Sequence, residues 1–459
     1  MKQTCVHIAA VSIITFLLGL FYITDRTPYS DEYVYLGHAH TLYSYGVFGS
    51  QNGTKDSPKP DARFAPLYPV LLAVTMHIDE DFAKSTECYL STVGMDENSC
   101  SGEFYTIKVI QLLIFSLSLG YIWYLLTIIS SSKLFSYSTV GLLLFSGTPF
   151  YYADHFLTES LYLALAFIFL LTLPLAILRQ STKYTIISAV FLALTALTRP
   201  TFLYLFYLLI FIFPIVFFTT KAYFLNLRSF FRFYFSFLII FSMVVAPWIT
   251  RNVIYFDKFA MTMGYSTHPL STRVAHNEMT NMEYLAGWIY WLPDFGDSLA
   301  EKIFGYENVH RLSFSSPESF YPAGRQKVDK HLNELMDTRA VDIKYSSRLD
   351  ALLKTYVYSD ILNHMKVTLL LAWRGFFVDK YFAFIGLFFL IWALFMGIKE
   401  QYIKYFHIIL FPSLILLFFQ AAISVSIPRY NLILLLPLSI SYASFFCWLG
   451  NRYLNKNLN

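Results

Sequence analysis

The sequence predicts an all-α polytopic membrane protein of about ten transmembrane helices, with interfacial helices in a first outer loop and a larger extracytoplasmic segment later. Three observations predict it. Hydrophobic residues are 56% of the chain and charged residues 14%, against about 25% charged in soluble domains. A single water-soluble core is excluded. Apolar runs near the ~20 residues that cross a bilayer recur along the chain. Basic residues gather at one set of run ends and acids at the other. The net charge of +4 is too diffuse for a nucleic-acid footprint.

Eight runs read as spans: residues 6–24, 105–129, 134–150, 157–178, 233–248, 381–398, 405–427 and 431–449. The first is read as a retained helix, because no small-residue cleavage pattern follows Thr24-Asp25. Residues 185–218 are too long for one span, about 50 Å as a helix against a core of about 30 Å. Their one charge and their natural break coincide at Arg199-Pro200, so two helices meeting there bring the count to ten.

With Lys2 inside, the inner loops hold Lys133, Arg179, Lys183, Lys221, Arg228, Arg232, Lys399, Lys404, Arg452 and Lys456, with Glu400 their only acid. This positive-inside pattern puts both termini in the cytoplasm and the large loops on the outer side, which in a bacterial inner membrane is the periplasmic side. Three regions follow: residues 1–250 with a first outer loop at 25–104, an extracytoplasmic segment at 251–380, and terminal helices at 381–459. Cys88 and Cys100 bracket a polar part of the first loop, where a disulfide is as expected as two free thiols. The sequon Asn52-Gly53-Thr54 is read as chance.

Chemistry is sought on the outer face. Ser30 is a candidate N-cap for a helix carrying Asp31 and Glu32 in its first turn. Asp31, Tyr35, His38, Leu42 and Tyr45 share one face of it. The helix N-terminus favours an ionised Asp31, a base toward a hydroxyl, although both acids equally suit the helix dipole. Arg63 stands before Pro66-Leu67-Tyr68-Pro69, at the height of a phosphate or of lipid headgroups. The apolar run that follows, 70–78, is too short to span. Asp154 and Glu159 sit in a short outer turn with His155, held near the membrane plane. Arg199 lies at depth, facing an anion or paired with an acid such as Asp154. Arg251 and Arg429 stand beside interfacial aromatics. Four guanidiniums at one level under a set of acids suit a lipid that carries a phosphate. His38 and His40 point to different sides of a helix, so no obligatory metal is expected.

The order Asp31-Glu32 with Tyr35, Pro66-Leu67-Tyr68-Pro69, Thr158-Glu159, Leu197-Thr198-Arg199-Pro200, Pro247-Trp248-Ile249-Thr250-Arg251-Asn252 and Arg429-Tyr430 resembles the C-type glycosyltransferases that use polyprenyl-phosphate sugars. The similar proteins are the bacterial dolichyl-phosphate-mannose-protein mannosyltransferase-like enzymes and the aminoarabinose transferase of lipid A. The resemblance implies a catalytic Asp31 with Glu32 beside it and a second acid at Asp154 or Glu159. It implies phosphate ligands at Arg63, Arg199, Arg251 and Arg429, and a pocket that includes Tyr35, Tyr68 and His155. It implies an inverting displacement from a lipid-linked sugar donor to an extracytoplasmic lipid, glycan or protein, with a divalent metal used by some members. The rival readings are a flippase of lipid-linked sugars and an O-antigen polymerase or ligase. The former would carry polar residues through the midplane of the bundle, where the spans here are nearly free of charge.

Overall fold

A computed structural model describes residues 2–50, 58–91, 100, 102–220, 226–263, 267–337, 345–397 and 400–456. The expectations for Asn52-Gly53-Thr54, Lys221 and Lys399 lie outside the described residues. The chain forms two compact units, residues 1–262 with 393–409 and 439–459, and residues 263–392 with 410–438.

In the first unit the apolar runs form helices α1 (Lys2–Leu20), α5 (Tyr105–Ser130), α6 (Lys133–Phe145), α8 (Glu159–Leu178), α9 (Thr182–Thr198), α10 (Thr201–Thr220) and α11 (Leu227–Phe256). The outer-loop helices are α2 (Glu32–Tyr45), α3 (Leu67–Ile78) and α4 (Glu80–Ser91), with a short α7 (Thr148–Ala153) before α8. The second unit holds α12 (Thr267–Ala275), α13 (Asn281–Tyr290), α14 (Gly296–Phe304), α15 (Arg325–Asp337), α16 (Tyr345–Leu352), α17 (Ile361–Phe376) and α18 (Tyr381–Trp392). The units share α19 (Glu400–Ile423) and α20 (Leu435–Lys456). Among the described residues the only strands are Gly49–Ser50 and Lys59–Pro60, paired antiparallel.

Seven described helices are long and apolar enough to cross a membrane, and an eighth is counted if a pair bent by 110° beside Tyr381 is one span. The expected ten is not reached by this measure. The runs at 134–150 and 185–198 form helices of 13 and 17 residues, about 20 and 25 Å long. Gly147 ends the former run with a positive φ of 70°, which a glycine adopts without strain. The break at Arg199-Pro200 falls where expected, because proline lacks the N–H that would continue α9.

α8 is buried on every side, with a buried Leu or Phe at nine of its twenty positions. A helix apolar all round belongs at the centre of a bundle, and α8 packs on α9 and α5. Above these helices the first loop forms its own core. Leu36 and Ala39 of α2 meet Tyr68, Leu72 and Met76 of α3, Phe82 of α4, and Phe104, Phe156 and Leu161. Each buried Leu or Phe contributes about 2 kcal/mol. Cys88 and Cys100 are joined in a disulfide with a Cα separation of 6.0 Å, which ties the end of α4 to the segment before α5.

Candidate active site

Ser30 does not cap α2: it has a φ of 53°, and Asp31 occupies the N-cap position without a side-chain cap bond. The buried residues of α2 are Glu32, Leu36, His38, Ala39, His40 and Thr41, of which only His38 belongs to the expected face. A step of one residue turns a side chain by about 100°, so Glu32 points into the protein while Asp31 stays exposed. Tyr35 is half-buried, its ring 5.5 Å from that of Tyr68.

Glu32 is 1% exposed. Arg26 grips it with two nitrogens, Nη1 to Oε2 at 2.9 Å and Nη2 to Oε1. The Tyr29 amide donates to Oε2 at 3.0 Å and the Phe156 amide to Oε1 at 3.1 Å. Burial pushes the Glu32 carboxyl above its ordinary range, against these four donors. The Phe156 bond fixes the start of α2 to the turn between α7 and α8, so the first loop and that turn form one site.

Asp154, 5% exposed, accepts from the Thr24 amide at 3.0 Å and the Thr24 hydroxyl at 2.6 Å. Lys108 Nζ lies 3.0 Å from its Oδ1, and Arg26 Nε lies 3.8 Å from its Oδ2. Two cations thus meet two buried carboxylates, which is what charges removed from water require. Lys108 belongs to the stripe Lys108, Gln111, Phe115 and Leu119 that α5 buries. Gln111 donates to the carbonyls of Ala153 and His155, both at 3.1 Å, and accepts from Tyr68 at 2.9 Å and Ser160 at 2.8 Å. His155 Nδ1 donates to the Tyr151 carbonyl at 2.7 Å. Burial, and then Arg26, hold the His155 imidazole below its usual range.

Glu159 opens α8 fully buried, with Oε1 3.5 Å from Arg199 Nη1. The guanidinium of Arg199 also lies over the Tyr162 ring at 4.7 Å. Arg199 therefore meets Glu159, and Asp154 meets Lys108.

The hairpin Gly49–Ser50 with Lys59–Pro60 leads to Asp61. His38 Nδ1 donates to the Val34 carbonyl at 2.8 Å, and its Nε2 meets Asp61 Oδ2 at 3.2 Å. Burial opposes ionisation of Asp61, but the bonds from His38 and the Arg63 amide outweigh it and hold the carboxyl below its usual range. The Arg63 side chain is exposed. Arg251 donates to the carbonyls of Asp61 at 2.7 Å and Phe48 at 2.8 Å and to Asn252 Oδ1 at 2.9 Å. It clasps the hairpin to α11. Arg429 opens the turn Pro428–Leu434 in the second unit and is half-buried. No group of three or more His, Cys, Asp or Glu fit to hold a metal occurs among the described residues.

The residues missed in the sequence are Arg26, Lys108, Gln111 and Asp61. Lys108 had a legible signal, as the one charge in an apolar run of 26 residues. Arg26 had none, because a loop and not a helical spacing brings it to Glu32.

Residues 60–265 match the model of the Alg9-like mannosyltransferase family, one of the C-type glycosyltransferase families. The stretch contains Arg63, Asp154, Glu159, Arg199 and Arg251, and over it the resemblance drawn from the motifs is borne out. No curated protein sequence matches the chain. The crystal structure of ArnT from Cupriavidus metallidurans bound to undecaprenyl phosphate aligns at 11% identity over 97% of this chain and 78% of that one, with a TM-score of 0.41.

Proposed function

We propose that this chain is an integral membrane glycosyltransferase. It moves one sugar from a polyprenyl-phosphate donor to a hydroxyl of an extracytoplasmic acceptor, with Asp31 as the base. The observation that carries the choice of Asp31 is a contrast in burial. Glu32, Asp154 and Glu159 are buried beside Arg26, Lys108 and Arg199, whereas Asp31 is the exposed acid of the four. Buried, cation-paired carboxylates hold the loop and the turn together. An exposed carboxylate at the start of a helix is open to a substrate hydroxyl.

In the displacement the acceptor oxygen bonds to the anomeric carbon and its proton goes to Asp31. The bond from that carbon to the phosphate oxygen breaks, and the electron pair leaves with polyprenyl phosphate. Phosphate departs without protonation, so a guanidinium that stabilises its growing charge replaces a general acid. Arg63 is the first candidate for that contact, being exposed on the loop that Asp61 and Arg251 anchor. Among the described residues the three hydrogen bonds of Arg251 run from Nη1 and Nη2, which leaves Nε for a second contact.

The test incubates purified protein with labelled polyprenyl-phosphate mannose and other polyprenyl-phosphate sugars, using envelope extracts as acceptor. Asp31→Asn should lower transfer by about 100-fold or more, the scale of a lost general base, while its melting temperature stays unchanged. Transfer at the parent rate by the folded variant contradicts the reading.

A further inference from the structure

Two buried arginines of the second unit are treated in opposite ways. Arg273, 0% exposed, makes four hydrogen bonds: to the Ala421 carbonyl at 2.6 Å, Asn277 Oδ1 at 2.8 Å, and the His364 carbonyl and Thr368 hydroxyl at 2.9 Å each. Arg374, 9% exposed in the last turn of α17, lies over the rings of Trp291 at 5.0 Å and Phe314 at 5.6 Å. Among the described residues no hydrogen-bond acceptor and no carboxylate engages it. A guanidinium carries five N–H donors. Ring faces attract its charge, and the carbonyl end of α17 complements it, yet neither gives those donors a partner. Those donors are left for water or for a ligand. Arg311 of the same unit also lies over a ring, that of Phe320, but it has Glu283 at 3.2 Å.

An orphaned acceptor stands in the same unit. Asn431 is fully buried and its Oδ1 accepts no bond among the described residues, while its Nδ2 donates to Ser426 at 3.2 Å. The amide packs against Gly375, the residue after Arg374: a Cβ added there would stand 2.5 Å from Nδ2. A donor fork without a protein partner, held against flat aromatic rings, suits an anionic group carried on a hydroxylated frame.

We propose that Arg374, with Trp291 and Phe314, binds the oxyanion of a glycosyl substrate, either a phosphate or the carboxylate of an acidic sugar. Binding of an oxyanion here needs no transfer chemistry; only its assignment to donor or acceptor rests on the function proposed above.

The test follows tryptophan fluorescence of the full-length protein in detergent, titrated separately with inorganic phosphate, a polyprenyl phosphate and glucuronate. At least one probe should give a saturable change that Trp291→Phe removes. Arg374→Met should weaken that probe by roughly tenfold or more, the scale of a lost charged hydrogen bond. Arg374→Lys, which keeps the charge and loses the fork, should fall between, and it carries the test if the methionine variant fails to fold. Response to both phosphates assigns the site to the donor, and response to glucuronate alone assigns it to an acidic acceptor. No saturable response from the folded parent protein, or parent-like affinity in the folded Arg374 variants, overturns the proposal. Since Asp31 belongs to the other unit, its transfer assay reports separately.

Discussion

Arg26 touches both Glu32 and Asp154, and Lys108 completes the charge balance by meeting Asp154 and the Thr24 carbonyl. Removing one partner of such a set strands a buried charge, at a cost of about 3 to 5 kcal/mol, whereas replacing both partners by apolar groups costs much less. Lys108→Met should therefore lower the melting temperature sharply, and Lys108→Met with Asp154→Leu should recover most of the loss. Equal melting temperatures for the two variants would show that the pair is not coupled. At this scale the acids were legible in the sequence and their partners were not. Asp154 and Glu159 stand out beside an apolar run, but which cation meets which acid depends on the loop from Thr24 to Ser30, whose path no periodicity encodes. Asp31 and Glu32 are neighbours of one type, and a rotation of about 100° separates their environments.

At the level of elements, the first outer loop is held by its own apolar core, by Arg251 and by the Cys88–Cys100 bridge. The bridge closes a loop of 12 residues, worth about 3 kcal/mol in chain entropy. Cys88→Ser with Cys100→Ser should lower stability by about that amount, read by thermal melting, and an unchanged melting temperature would show that the loop core suffices alone. The turn after α12 carries a different device. Burial, followed by the nearby Arg374, pushes the His276 imidazole down to about 3. Unfolded, the same group titrates near 6.5, so the unfolded chain binds more protons between these values. The stabilisation from a neutral His276 is complete above about pH 6.5 and is lost as pH falls toward 3. His276→Gln should flatten the decline of melting temperature between pH 7 and 4, and identical profiles would contradict this origin. The short helix at 67–78 and the break at Arg199-Pro200 were legible because length and proline decide them. The packed face of α2 was not, because apolar and polar residues alternate around it.

For the molecule as a whole, composition gave the membrane class, and the helices carry it: seven described helices have the length and apolarity to span. The count fell short of ten where hydropathy runs extend past the ends of the helices, as at Gly147, which starts a new turn inside an apolar stretch. Contacts within the first unit place the start of α2, the turn before α8 and the break after α9 at one end of that unit, through Glu32 with Phe156 and Glu159 with Arg199. We propose, from the charge pattern, that this end faces the outside. The most direct measurement is labelling of single cysteines by a membrane-impermeant maleimide in intact cells. Ser30→Cys, Pro200→Cys and Gln180→Cys are each made in a chain with Cys5→Ser and Cys447→Ser. The account predicts that the cysteines at 30 and 200 react from outside and that the one at 180 reacts only after the membrane is opened. Labelling of 30 and 200 from opposite sides would contradict it.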